Sequence, residues 1–207
     1  KGIHRPMPTD VFSKPSNDGV KPSKVFMLVN PYSGKKKGVK VAEAAKQLLE
    51  ASDIEVEIHI SQHSGHLVDI VSSLDVQSDQ AIAVVGGDGS LSESITGWMM
   101  QSKDNSTIRF GLIPAGTGNS QAHDFGIKST EDAVSRIVNG AAQSIDLARV
   151  ELTEGLPGKN KGQMIRYSHN LVTWGLGVDS TIKAEKMRWM GSIRYDVGIL
   201  MAIMANN

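Results

Sequence analysis

Cysteine is absent from the 207 residues, which excludes disulfides and thiolate metal sites. A reducing cytosolic setting fits that composition. An excess of charge of either sign is also missing. Lys and Arg number 22, Asp and Glu 22, and the formal net charge is zero. Nothing in that balance supports a nucleic-acid partner, whose phosphates favour a surplus of Lys and Arg. Long hydrophobic runs are missing too. The apolar stretch from Ile199 to Ala205 is far shorter than the roughly 20 residues a membrane-spanning helix needs. Residues 1–23 carry Pro6, Pro8, Pro15 and Pro22 and lack the apolar centre of a signal peptide, so they read as a flexible lead-in. No methionine opens the chain, and it stops at Asn206-Asn207 after an apolar helical pattern. We therefore expect a piece of a longer protein, one full domain with part of another. What is present suffices for a packed, soluble domain: 40% hydrophobic and 21% charged residues.

Apolar periodicity organises the chain. Lys24 to Asn30 is a short apolar run that ends at Pro31, Ser33 and Gly34, the signature of a buried strand feeding a turn. A helical pattern follows, with Val41, Ala45, Leu48 and Leu49 on one face. Strands are predicted at Val56–Ile60, Ala81–Val85 and Ile108–Ile113, and helices at His66–Leu74 and Leu91–Met100. This alternation points to an α/β fold, a parallel sheet covered on both faces. Ser129-Thr130-Glu131-Asp132 is a capping-box pattern that starts a helix ended by Gly140. The rhythm then changes. Ser144–Leu152 and Met164–Thr173 read as strands with no helix between them, which predicts antiparallel pairing. The expected organisation is a nucleotide-binding α/β domain over residues 24–141, followed from 142 to 207 by the incomplete start of a mainly antiparallel β second domain.

Three glycine-bearing loops follow three of the parallel strands: Asn30-Pro-Tyr-Ser-Gly34, Gly86-Gly-Asp-Gly-Ser90 and Pro114-Ala-Gly-Thr-Gly-Asn119. Ligands of open α/β sheets bind at the carboxyl ends of the strands. Loops there can aim free backbone N–H groups at an anion, and glycine lets a phosphate come close. Asp88 sits between glycines at the tip of the most apolar strand. It can be a turn or N-cap residue for the helix near Leu91. The reading we favour is a carboxylate at the rim of a phosphate site, since a cap alone does not explain glycine on both sides. Phosphoryl transfer needs positioning, charge neutralisation and a group to take the hydroxyl proton.

Other features have plainer readings. Lys35-Lys36-Lys37 is either a solvated basic turn or a set of charges offset by a nearby anion, and it lacks the Gly-x-x-x-x-Gly-Lys-Ser/Thr spacing of a P-loop. His59, His63 and His66 have no acidic or cysteine partner in the sequence pattern, so structural or solvated histidine is expected rather than metal. Trp98, Met99 and Met100 are expected to pack a helix. Leu200, Met201, Ile203 and Met204 form adaptable apolar surface that is either core or the edge of a lipid site.

Gly86-Gly-Asp-Gly-Ser90 together with Pro114-Ala-Gly-Thr-Gly-Asn119 resembles the diacylglycerol kinase and sphingosine kinase superfamily. The resemblance runs from Val29-Asn30-Pro-Tyr-Ser-Gly34 to the end of the chain. Trp174-Gly-Leu-Gly-Val-Asp179, with Arg188-Trp-Met-Gly-Ser-Ile-Arg194-Tyr-Asp196, is similar to the sphingosine and ceramide kinase branch. It implies an ATP- and Mg²⁺-dependent lipid kinase that phosphorylates the primary hydroxyl of a sphingoid lipid. The setting implied is the cytoplasm, with the lipid presented at a membrane surface. Asp88 would be the base. Asn30, Ser61, Gly87, Gly89, Glu93, Gly116, Thr117 and Gly118 would line the nucleotide site, and Arg188 and Arg194 would reach its phosphates. Asp179 would lie near the lipid. Sphingosine kinases carry a Ser and an Asp where this chain has Leu171 and Thr181. Alternatives are a diacylglycerol kinase, an enzyme like the NAD kinases, which share a similar Gly-Gly-Asp-Gly loop, or a non-catalytic nucleotide- or lipid-binding homologue.

Overall fold

In the computed structural model the described residues are 19–101, 108–152, 164–172 and 175–205. Strand β1 (Lys24–Val29) is followed by a single turn, α1 (Ser33–Lys36), and by α2 (Gly38–Glu50). Then come β2 (Glu55–Ile60), α3 (His66–Ser73), β3 (Ala81–Gly86), α4 (Asp88–Met99) and β4 (Arg109–Pro114). A short α5 (Ser120–Asp124) and α6 (Thr130–Val138) complete this part. The four strands form one parallel sheet in the order β2-β1-β3-β4.

Alternation along the strands decides which helix goes where. Val25, Met27, Val29, Ala81, Ala83 and Val85 face one side and pack with α2 and α6. Phe26, Leu28, Ile82 and Val84 face the other and pack with α3 and α4. Every residue of β3 is buried, as an apolar run covered on both faces requires. The chain moves from β1 to β2 under α2, then returns across the sheet under α3 to β3. With right-handed crossovers that reversal puts the two helices on opposite faces. It also makes the gap between β1 and β3 the switch point where a ligand crevice opens.

The structure corrects the helix phase and several boundaries. The buried face of α2 is Gly38, Ala42, Ala45 and Leu49. Leu48, expected inside, is exposed, because the stripe through 38, 42, 45 and 49 is the one turned to the sheet. Helix α4 begins at Asp88, three residues before Leu91, so the aspartate belongs to its first turn. Of the residues expected to pack that helix, Trp98 is buried and Met100 is exposed.

The Ser129 cap of α6 forms as read, while the carboxylate three residues on reaches back past the cap to Lys128. Ser129 Oγ accepts from the Asp132 amide at 3.2 Å, and Asp132 Oδ2 accepts from the Lys128 amide at 2.9 Å. That bond and the Arg136 guanidinium hold the Asp132 carboxyl below the ordinary aspartate value. Helices α3 and α4 cross where Gly97 meets α3: a Cβ there would lie 2.5 Å from the Val68 carbonyl oxygen.

The second sheet is the antiparallel pair β5 (Ala148–Leu152) and β6 (Met164–Ser168), shorter than the predicted strands. Residues 153–163, within the expected connection, lie outside the described set. Beyond β6 the described chain is helical: α7 (Leu176–Glu185), a 3-10 turn over Arg188–Ile193, and α8 (Arg194–Ala205). Among the described residues no helix is long and apolar enough to cross a membrane.

Strand β6 does not extend the parallel sheet. It lies on α4, whose Ser92 hydroxyl donates to the Tyr167 carbonyl at 3.2 Å, while Thr96 Oγ1 accepts from the Tyr167 amide at 3.2 Å. Two helix hydroxyls four residues apart thus satisfy the backbone groups that a neighbouring strand would otherwise pair.

Candidate active site

The three glycine loops converge at the carboxyl edge of the parallel sheet, after β1, β3 and β4. Asn30 starts the first. Its Oδ1 accepts from the Tyr32 amide at 3.0 Å, and its Nδ2 donates to Ser90 Oγ at 3.1 Å, which pins the first loop to the second. Ser61 is buried at the end of β2, where its amide donates to the Val29 carbonyl just before Asn30.

The loops touch backbone to backbone. Gly34 has φ 54°, and a Cβ there would lie 2.3 Å from the Ala115 carbonyl oxygen. A Cβ on Gly116 would come within 2.7 Å of Gly87 Cα. Asn119 closes the third loop on itself, accepting from the Gly116 amide and donating to its carbonyl at 2.9 and 3.0 Å. The expected reason for these glycines is thereby divided. Gly34, Gly87 and Gly116 are small so that the loops can pack on one another. Gly89 and Gly118 face open space: a Cβ on Gly89 meets nothing within 4 Å, and the nearest atom to one on Gly118 is Asp88 Oδ2 at 3.7 Å. Those two leave open space at the rim of the loops.

Asp88 is half-buried between these loops and caps a helix other than its own. Oδ2 accepts from the Ser120 amide at 3.0 Å and Oδ1 from the Gln121 amide at 2.9 Å, the first turn of α5. The N-cap of α4 is Gly87, with no side-chain cap bond. A carboxylate offers about four lone-pair positions, so two amides fix its orientation and leave capacity to accept from a hydroxyl. Thr117 and Gly118 are exposed beside it, and Glu93 is half-buried on α4.

The remaining sequence-derived candidates lie elsewhere. Arg194 is buried between α7 and α8. Its Nη2 is 3.5 Å from Glu185 Oε1 and donates to the Tyr195 hydroxyl at 2.7 Å, and its guanidinium sits 4.7 Å from the Tyr195 ring. Among the described residues no hydrogen bond or ion pair joins it to the glycine loops. Arg188 starts the 3-10 turn, and its side chain lies outside the described set. Asp179 is half-buried in the first turn of α7. The lysine run straddles α1 and α2, with Lys36 left-handed at φ 69°. His59 does have an acidic neighbour, Glu57 Oε1 at 2.9 Å, and His63 stacks on His66.

One side chain at this edge has no local sequence signal. His169, two residues after Tyr167, places Nδ1 2.8 Å from Gln121 Oε1 and Nε2 3.3 Å from the Asp88 carbonyl oxygen. It arrives by way of the β6–α4 contact.

The family described as the diacylglycerol kinase catalytic domain matches residues 24–150. A sphingosine kinase 1 of Arabidopsis thaliana is 33% identical over 192 residues, covering 89% of this chain and 38% of the relative. A ceramide kinase of Mus musculus is 27% identical over 202 residues, covering 90% and 36%. A diacylglycerol kinase of Mycobacterium tuberculosis is 30% identical over 182 residues, covering 86% and 54%. The chain thus spans well under two thirds of the length of the curated relatives it matches. A solved diacylglycerol kinase structure from Bacillus anthracis is similar over 64% of this chain and 46% of its own, at 21% identity and a TM-score of 0.48.

Proposed function

Because this chain belongs to the diacylglycerol kinase catalytic-domain family, we propose that it is the nucleotide-binding part of an ATP-dependent lipid kinase acting on the primary hydroxyl of a sphingoid lipid. The observation that carries the chemistry is Asp88. Its carboxylate is oriented by two backbone amides, on the rim of an opening kept clear by Gly89 and Gly118.

The residues divide the work. The loops carrying Gly87, Gly89, Gly116, Thr117 and Gly118 bind the phosphates of ATP through backbone N–H groups, with Asn30, Ser61 and Glu93 shaping the rest of the nucleotide site. Asp88 accepts the proton of the lipid hydroxyl as that oxygen takes the γ-phosphoryl group. Arg188 and Arg194, whose guanidinium forks suit phosphate geometry, are proposed to reach the phosphates from the α7–α8 side, although no hydrogen bond or ion pair among the described residues joins Arg194 to the glycine loops. Asp179 lies on the lipid side. Mg²⁺ would neutralise charge on the phosphates. A lipid presented at a membrane surface is part of the proposal, supported by exposed Trp189, Leu200 and Met204.

A diacylglycerol kinase is the second reading. It is favoured by Leu171 and Thr181 standing where sphingosine kinases carry a Ser and an Asp. Turnover of the complete protein with Mg-ATP against sphingosine, ceramide and diacylglycerol, side by side, tests both. Transfer to sphingosine or ceramide above diacylglycerol is the expected result, the reverse order selects the second reading, and transfer to none removes both.

A further inference from the structure

We propose that His169 is a positioning residue that holds Asp88 and Gln121 in register for proton acceptance. For its kinetic arm the proposal rests on the phosphotransfer reading above.

The imidazole sits between two acceptor-bearing groups. The Asp88 carbonyl, 3.3 Å from Nε2, can only accept, so Nε2 carries a proton. The Gln121 amide, 2.8 Å from Nδ1, can offer either its oxygen or its NH₂. The bridge is therefore satisfied whether the ring is neutral or protonated. Gln121 is only 5% exposed, so its side-chain amide must find its partner inside the protein. Its backbone amide donates to Asp88 Oδ1. A closed cycle results, from the Asp88 carboxylate to Gln121, across the imidazole, and back to the Asp88 peptide. It restrains Asp88 at both ends, so that the carboxylate cannot swing without breaking one member.

The cycle is also in step with the docking of β6. Four residues of helix rise about 6 Å, and two residues of extended chain cover roughly 6.6 Å. The spacing from Tyr167 to His169 thus matches the spacing along α4 from Ser92, which holds Tyr167, to Asp88. Among the described hydrogen bonds, the segment that follows β6 reaches the Asp88 loop through this ring.

The test compares His169→Ala and His169→Gln with the wild type in the complete protein. It reads steady-state kinetics with ATP and lipid, together with hydrogen exchange at the Ser120 and Gln121 amides. With Ala, kcat is expected to fall about tenfold or more, as misplacement of a reacting group by a fraction of an ångström does, while KM for ATP stays within about twofold. The two amides should exchange about tenfold faster as their bonds to Asp88 open more often. Gln, whose NH₂ can reach the Asp88 carbonyl, should restore both. Unchanged kcat and exchange in the Ala variant would overturn the proposal. So would parallel losses in kcat and KM that Gln does not restore, the mark of a loop merely loosened. If the wild type transfers phosphate to no lipid, the phosphotransfer reading falls, and the exchange comparison still decides whether His169 holds the cycle.

Discussion

At Asp88 both carboxylate oxygens accept backbone amides, and this sharpens what a substitution there does. Asp88→Asn removes the proton acceptor and turns an NH₂ group against one of the two amides of α5. Turnover is expected to fall by about 10²–10⁴, the usual contribution of a positioned base. Stability should fall as well, by about 1–3 kcal/mol for the amide left unpaired. Steady-state kinetics and urea unfolding on the same preparation read the two effects, and near-normal turnover would remove Asp88 from the mechanism. The glycines separate in the same way. Gly118→Val adds bulk to open space, so calorimetry should show lost Mg-ATP affinity in a protein of normal stability. Gly116→Val forces the loops apart and should reduce both. The importance of Asp88 was legible from its flanking glycines. Its partners were not, because Ser120 and Gln121 lie more than thirty residues away and only the fold of β4 against β3 brings them near.

Among the elements, α4 carries the most constraints, and each face of it has a different task. Its Gly97 lies where a Cβ would meet the Val68 carbonyl of α3. Gly97→Ala should cost about 1–3 kcal/mol through overpacking, despite the better helix propensity of alanine. Thermal or urea unfolding checks the sign, and stabilisation would mean that the helices part without penalty. Helix α6 supplies a pH prediction. The folded-state pKa of Asp132 is depressed, chiefly by the Lys128 amide and then by Arg136. Its stabilising contribution is therefore fully present above the ordinary aspartate pKa of about 4 and is lost as pH falls through the depressed value. Asp132→Asn should flatten the acid limb of the stability curve below about pH 4, which unfolding at graded pH would reveal. The Ser129 cap could be read directly because it is local. The phase of α2 could not, since Leu48 and Ala42 both suit a helix and only the sheet beneath decides which turns inward.

For the whole molecule, the sequence announced an alternating α/β domain followed by an antiparallel pair, and both are present. Periodicity does not give the full strand order, although alternating Glu55–Ile60 suits an edge and fully apolar Ala81–Gly86 an interior position. Nor does it say that β6 would pack against α4 through Ser92 and Thr96. Thr96, fully buried, makes that contact testable. Thr96→Val keeps the shape and deletes the acceptor of the Tyr167 amide, which should destabilise by about 1–3 kcal/mol. Hydrogen exchange at Tyr167 reads the effect, and an unchanged rate would mean that the second sheet is held by other means. The strand order has a further outcome, in time rather than in energy. The central pair, β1 and β3, joins segments separated in the chain by the whole of α2, β2 and α3. Chain closure over that span must precede the contacts that reward it, so folding should take milliseconds or longer, not microseconds. Until then the apolar strand β3 and the loop that carries Asp88 emerge into solvent uncovered, which makes the interval before β1 and β3 pair the period of greatest exposure to misassembly.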